Sequence, residues 1–355
     1  MHTPWPRRPV TVWLGGGALL LLALAVAASS GAFAIAPQAL PGSVWRALVA
    51  AWQGTPLPVA LQGDTQALVF ASIRLPRLLL GVAAGAGLGL AGALMQGLFR
   101  NPLADPGLVG VSSGAALAAG LTIVLGAAFF PDMPRQLGSW ALVLTAFAGG
   151  LGVTALIYLL AQTGSGTQVT LMLLAGIAIN ALAGAGLGYL STIATDEQLR
   201  SVQFWMLGSL GAASWASVWG VLAVALLALA LGVPLARPLN ALALGEAQAA
   251  MLGVPVERVK RLAVVVAALA VGAVTATTGI IGFIGLVAPH MVRLLLGPDH
   301  RLVLPGAALL GAALVLLADA LARTLTAPAE LPLGVLTATL GAPFFLVLLK
   351  KRVLP

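Results

Sequence analysis

The sequence predicts an all-α, polytopic integral membrane protein. Two observations carry this. Of 355 residues, 60% are hydrophobic and only 8% are charged, and the mean hydropathy is +1.05. Apolar runs of about 20 residues, the length that a hydrocarbon core requires, recur along the whole chain. A membrane β-barrel would show short alternating runs instead. The 43 glycines, with abundant alanine, suit close helix–helix approach in lipid.

Ten spans are expected, at about 12–35, 76–97, 108–127, 139–161, 169–193, 215–235, 260–280, 284–296, 302–323 and 333–350. The eighth is too short to cross unless it is buried among its neighbours. Arg7 and Arg8 precede the first run, and Ser29–Ala34 resembles a cleavage region, so a signal peptide is one reading. The length of the run Val10–Ile35 favours an uncleaved first span. The chain is expected to be one transmembrane domain, 1–355, with no soluble domain attached.

An even number of spans puts both termini on one side. Basic residues choose the side. With a cytoplasmic N-terminus, twelve of the eighteen Lys and Arg fall inside. They are Arg7, Arg8, Arg100, Arg237, Arg258, Lys260, Arg261, Arg293, Arg301, Lys350, Lys351 and Arg352. The six outside are Arg46, Arg74, Arg77, Arg135, Arg200 and Arg323. The bias predicts that both termini are cytoplasmic. The net charge of +8 is thus a matter of topology and not of nucleic-acid binding. The chain has no cysteine, which removes disulfides, thiolate metal sites and cysteine nucleophiles.

Between the spans, the outer segment 36–73 carries Pro37, Pro41, Pro56 and Pro58 with Trp45 and Trp52, and reads as a loop with a short interfacial helix. Asp196–Trp205 mixes charge with aromatics, as a short helix lying on the membrane surface would. The largest inner segment is 236–259.

Four constellations stand out. Pro76 suits a first helical turn, which would set Arg77 at a helix N-terminus against the dipole. Cations kept there, Arg74 and Arg77, point either to an acidic partner outside or to lipid phosphate. Arg323 follows Asp319 by four residues, the spacing and order of a helical ion pair. In Arg100–Gly107 (RNPLADPG), two prolines and a glycine make a tight turn or a constriction at the mouth of a pathway. The stretch Leu239–Pro255 is helix-prone, is too short to span and has an apolar surface of Leu242, Leu244, Met251 and Leu252. It would rest on the bilayer or fit a cytosolic protein. His290 and His300 have no partner at metal-ligand spacing, so a structural role is the stronger reading for both. The sequence has no Walker A, GxSxG or HExxH pattern, so no nucleotide or hydrolytic chemistry resides in the chain.

Six stretches together carry a resemblance. They are RLPR (Arg74–Arg77), GLFRNPLADPGLVGVSSGAAL (Gly97–Leu117), LLAGIAIN (Leu173–Asn180), LALGEAQAAMLGV (Leu242–Val254), GFIGLVAPHMVRLLLGPDHR (Gly282–Arg301) and ELPLGVLTATLGAPFFL (Glu330–Leu346). The sequence resembles the permease subunits of type II ABC importers for iron–siderophore, haem and cobalamin, the FecCD-type family. The resemblance implies a cobalamin-permease-like fold of ten helices and a homodimer with its pathway at the two-fold axis, in the bacterial inner membrane. It implies two cytosolic ABC ATPase subunits that use ATP and Mg, a periplasmic binding protein, and no cofactor bound by this chain. By position, Arg74, Arg77 and Arg323 look like docking arginines for the binding protein. Asn101 and Leu103, with Thr170, look like a cytoplasmic gate. Leu244, Gly245, Glu246, Ala247, Leu252 and Gly253 look like the segment that couples to the ATPase.

The stretch DEQLRSVQFWMLGSLG (Asp196–Gly211) and the span before it look most like the haem-uptake branch. Haem is therefore ranked first as cargo, with a contact to His290 or His300 as a corollary. Ferric siderophore and cobalamin follow. The rival classes are an ion-coupled secondary transporter, for which Asp319 would be the coupling acid, and a purely structural membrane anchor.

Overall fold

The computed structural model describes residues 9–31, 38, 40–52, 61, 63–129, 138–164 and 166–353. Arg7 and Arg8, Ala32–Ala34 of the cleavage-like region, Pro37, Pro56, Pro58 and Arg135 lie outside the described residues.

In chain order the helices are α1 (Pro9–Ser29), α2 (Leu40–Trp52), α3 (Thr65–Leu98), α4 (Val111–Phe129), α5 (Trp140–Leu160), α6 (Val169–Ile193) and α7 (Asp196–Leu207). They continue with α8 (Trp215–Gly232), α9 (Ala236–Leu242), α10 (Glu246–Met251), α11 (Val256–Thr278), α12 (Ile284–Leu296), α13 (His300–Thr324) and α14 (Leu333–Val353). A two-stranded antiparallel hairpin, β1 (Gln162–Thr163) with β2 (Gly166–Thr167), joins α5 to α6. Each of the ten expected spans holds one of these helices. Among the described residues, six helical runs are long and apolar enough to cross a membrane: α3, α5, α6, Trp215–Leu242, α11 and α13. Shorter apolar helices lie at Trp13–Ser29, Val111–Gly126, Ile284–Leu296 and Leu333–Phe344.

The short surface helices form where the sequence placed them. α2 exposes Trp45, and α7 opens with a reciprocal cap between Thr195 and Gln198. One expectation is corrected. Arg77 is not at a helix N-terminus, because α3 begins a dozen residues earlier, where Asp64 accepts from the N–H of Ala67. A π turn at Phe70–Arg74 precedes Pro76. Proline removes one helical hydrogen bond, and the wider turn accommodates that loss without ending the helix. The dipole argument therefore does not apply to Arg74 or Arg77.

α3 is the hub. It packs against α13, α11, α8 and α12, while α4 packs against α5 and α6, and α1 against α13. In the most apolar window of α3, 89% of residues are buried, against 17% for α6, so α6 lies at the periphery. Glycines allow the closest approaches to α3. A Cβ on Gly85 would lie 2.3 Å from the Gly311 carbonyl oxygen, and one on Gly89 would lie 2.0 Å from that of Ala307. On Gly92 it would meet the carbonyl of Gly285, in the first turn of α12. The short α12 is thus held inside the bundle, as its length required.

Candidate functional site

Three groups of residues carry the chemistry, and the helices place two of them at opposite ends of the bundle.

At one end, the first third of α3, the last turn of α13 and the C-terminal end of α1 meet. Arg74, Arg77 and Arg323 come together there and are only 5, 9 and 7% exposed. Arg77 donates from Nε to Asp319 Oδ1 at 3.0 Å and from Nη2 to the same oxygen at 2.8 Å. Its Nη1 and Nη2 donate to the two oxygens of Glu330, each at 2.9 Å. Arg323 Nε donates to Asp319 Oδ2 at 3.0 Å, which forms the helical pair expected from the spacing. Its Nη1 and Nη2 donate to the carbonyls of Ser30 and Ala27 at 2.7 and 2.8 Å, while Arg74 Nη1 donates to that of Ala28. The C-terminal carbonyls of α1, left without partners inside the helix, suit cations, since they carry the negative end of its dipole. The sequence located all three arginines, but not their shared burial. At the edge of a membrane a guanidinium needs acceptors, and this end provides Asp319, Glu330 and the end of α1. The half-exposed Glu330 was not assigned a role from sequence; its one signal was its place at the start of the stretch Glu330–Leu346.

A cavity of about 560 Å³ is lined by Leu103, Asp105, Gly282, Phe283, Leu286, Ala342 and Leu346. Its walls come from the α3–α4 turn, the start of α12 and α14. Of the expected gate residues, Leu103 lines the cavity. Asn101 stands in the same turn and accepts from the Leu103 N–H at 3.0 Å. Thr170 is exposed in the first turn of α6, away from this lining. Asp105 caps the following turn by accepting from the Gly107 N–H at 2.7 Å. Burial pushes the Asp105 carboxyl up, and that hydrogen bond opposes the shift. Phe283 is a non-glycine residue with φ +65°, a conformation that costs about 1–3 kcal/mol and is held only where surroundings demand it. Phe283 packs closely on α14: a Cβ on Gly341 would lie 2.6 Å from Phe283 Cβ, so glycine at 341 makes room for it.

At the opposite end, the stretch read as one short helix is two. α9 and α10 meet at a turn where Gly245 has φ +123°. Leu244, Met251 and Leu252 are 66, 88 and 66% exposed, and Ala247 is exposed with them. Gly253, at φ +80°, turns the chain toward α11. Leu242, expected on the same apolar surface, is instead 3% exposed and belongs to the core, because the Gly245 turn reverses the chain after it. Glu246, the first residue of α10, pairs with Lys260 of α11 at 2.7 Å.

Both histidines are buried. His300 clasps α9 to α13. Its Nδ1 lies 2.8 Å from Asn240 Oδ1, a pure acceptor, so the proton sits on Nδ1 and Nε2 faces Arg293 at 3.5 Å. Asn240 Nδ2 donates to Asp299 Oδ1 at 2.7 Å. Burial alone would raise the Asp299 carboxyl, but the Arg301 N–H and the Asn240 amide, with the Arg301 charge, hold it below the usual carboxylate range. Among the described residues no cluster of three or more His, Cys, Asp or Glu is arranged to hold a metal ion.

Residues 19–351 match the profile of the FecCD transport family. The chain is 49% identical, over 284 residues, to the hemin transport system permease protein HmuU of Yersinia pestis, a match covering 80% of this chain and 84% of that one. It is 40% identical, over 312 residues, to the cobalamin import system permease protein BtuC of Halobacterium salinarum, covering 88% and 80% respectively. Among solved structures, an inward-facing metal-chelate type ABC transporter superposes with a TM-score of 0.80 at 30% identity, covering 97% of this chain and all of that one. The chain therefore belongs to the FecCD transport family and is the membrane-spanning permease of an ABC importer.

Proposed function

We propose that the chain carries haem inward across the bacterial inner membrane, as a homodimer driven by two cytosolic ATPase subunits and supplied by a periplasmic binding protein. The observation that supports haem is the higher identity to a hemin permease than to cobalamin permeases over similar shares of the chain. The mostly apolar wall of the cavity suits a large, flat, largely apolar cargo.

The arginine end then faces the periplasm, and the end with Glu246 faces the cytosol, with both termini inside. Arg74, Arg77 and Arg323 against Asp319 and Glu330 leave one net positive charge at the outer end. Such a field orients an acidic docking partner and speeds its arrival. Asn101 and Leu103 form the inner gate, with Thr170 joining it only if the start of α6 moves toward the cavity, whose lining it does not reach here. Exposed Leu244 and Leu252, with Gly245, Glu246, Ala247 and Gly253, form the contact with the ATPase, since an apolar patch at a polar end marks a partner surface.

The cargo test uses vesicles holding the complete importer. Haem delivered by the binding protein is expected to stimulate ATP hydrolysis and to accumulate inside. A response to cobalamin or to a ferric siderophore without one to haem overturns the cargo assignment. For docking, Arg74→Gln keeps a hydrogen-bond donor beside Ala28 and removes one charge. Slower association of the binding protein, with a shallower salt dependence, is the expected result in a surface-capture measurement, and unchanged association rates at low salt would count against the docking role.

A further inference from the structure

The hairpin between α5 and α6 is tied to α10 and α11 through one buried ammonium group. Thr167, at its end, is 4% exposed and held from three sides. Its N–H donates to Glu257 Oε2 at 3.0 Å, its carbonyl accepts from Lys260 Nζ at 2.7 Å, and its hydroxyl lies 3.2 Å from the Tyr158 hydroxyl. The neighbouring Gly166 has φ +109°, and a Cβ there would lie 2.7 Å from Glu257 Oε1, so only glycine lets this backbone lie against the carboxylate. Lys260 Nζ also donates to Glu246 Oε2 at 2.7 Å and to Glu257 Oε1 at 3.1 Å. An ammonium has three protons, and all three have acceptors. Lys260 is 2% exposed.

We propose that Lys260 is a positioning residue that transmits movement of the exposed α9–α11 segment to the hairpin and to α6. This rests on reading that segment as the ATPase contact. Glu246 opens α10 and its side chain is 43% exposed, so it lies within reach of a partner that moves α10. If Glu246 is drawn away, Lys260 either follows it or loses an acceptor inside the protein, and a buried charge left short of partners is costly. If Lys260 follows, it draws on a backbone carbonyl of the hairpin, two residues before α6 begins. The link therefore runs from α10 through one side chain to the backbone that leads into α6, the least buried of the six long spans.

The test uses the complete importer in vesicles and exploits the absence of cysteine. Gly164 is exposed in the hairpin and nothing lies within 4 Å of a Cβ placed there, so Gly164→Cys accepts a fluorophore without displacing neighbours. In the otherwise unsubstituted complex the fluorescence is expected to change on adding ATP, with or without cargo. In Lys260→Met, ATP hydrolysis is expected to persist, the ATP-dependent change at residue 164 to vanish, and haem moved per ATP to fall about tenfold, a typical size for coupling between sites. Glu257→Gln keeps the shape of the cluster and removes one charge; it is expected to give a smaller loss in the same direction, and it serves as the test if Lys260→Met does not assemble. An intact ATP response at residue 164 in the variant that assembles, with unchanged transport per ATP, overturns the proposal. Absence of haem uptake alongside an intact reporter response overturns the cargo assignment and leaves the role of Lys260 standing.

Discussion

Asp319 shows how much depends on one carboxylate. It is 2% exposed and accepts from both Arg77 and Arg323. Glu330 holds Arg77 as well, but from a side chain 44% exposed to solvent. Removing one partner of a buried ion pair leaves an uncompensated charge, at about 3–5 kcal/mol, whereas exposed pairs contribute about 0.2–1 kcal/mol. Asp319→Ala is therefore expected to lower the thermal unfolding temperature of the purified protein far more than Glu330→Gln. Equal shifts in a melt followed in detergent would show that the cluster around Asp319 is wetter than its burial indicates. Half of this was legible in the sequence. The pair Asp319–Arg323 follows from a spacing of four, but Arg77 reaches Asp319 across 242 positions, and no local pattern announces that. The same holds for Lys260, which reads as one more basic residue at an inner helix end until Thr167, 93 positions earlier, is found against it.

At the scale of elements, helix positions were readable because hydrocarbon thickness fixes their length, and the ten expected spans each contain a helix. What was not readable is where helices continue without interruption and which glycines touch a neighbour. Pro76 suggested a helix start, yet a π turn carries α3 through it. The 43 glycines forecast close packing in general, but only geometry separates Gly89, whose Cβ would lie 2.0 Å from a backbone oxygen of α13, from Gly152 of α5, which has nothing within 4 Å. A backbone atom cannot rotate aside, so Gly89→Ala must push α3 from α13. We expect a destabilisation of about 1–3 kcal/mol, the usual size for overpacking. Gly152→Ala should be neutral or stabilising by about 0.5–1 kcal/mol, since alanine is the better helix former. Parallel thermal melts of the two variants check this, and equal behaviour would mean that the α3–α13 contact is loose.

For the whole molecule, the question is what covers α6. Its most apolar window is the least buried of the long spans. Leu174, Ile177, Leu182 and Tyr189 stand exposed along it, as lipid contact allows. Lipid gives no reason for Gly184 and Gly188, which sit one turn apart on exposed positions with open space where each Cβ would be. A glycine costs a lipid-facing helix about 1 kcal/mol relative to alanine, whereas paired small residues one turn apart let a second helix come close. The arrangement mirrors Gly85 and Gly89 of α3, where the partner α13 is already in place. A second copy of the chain, meeting the first along α6, would fill this space and enclose a pathway between the two. Because the native chain has no cysteine, Gly184→Cys and Gly188→Cys each place a single thiol on this face, and Gly152→Cys places one on α5 as a control. In membranes, a short bifunctional thiol reagent is expected to convert the α6 variants to a species of twice the mass and to leave the α5 variant monomeric. Cross-linking at residue 152 in preference to 184 and 188 would put the two-fold axis on another face and detach α6 from the pathway.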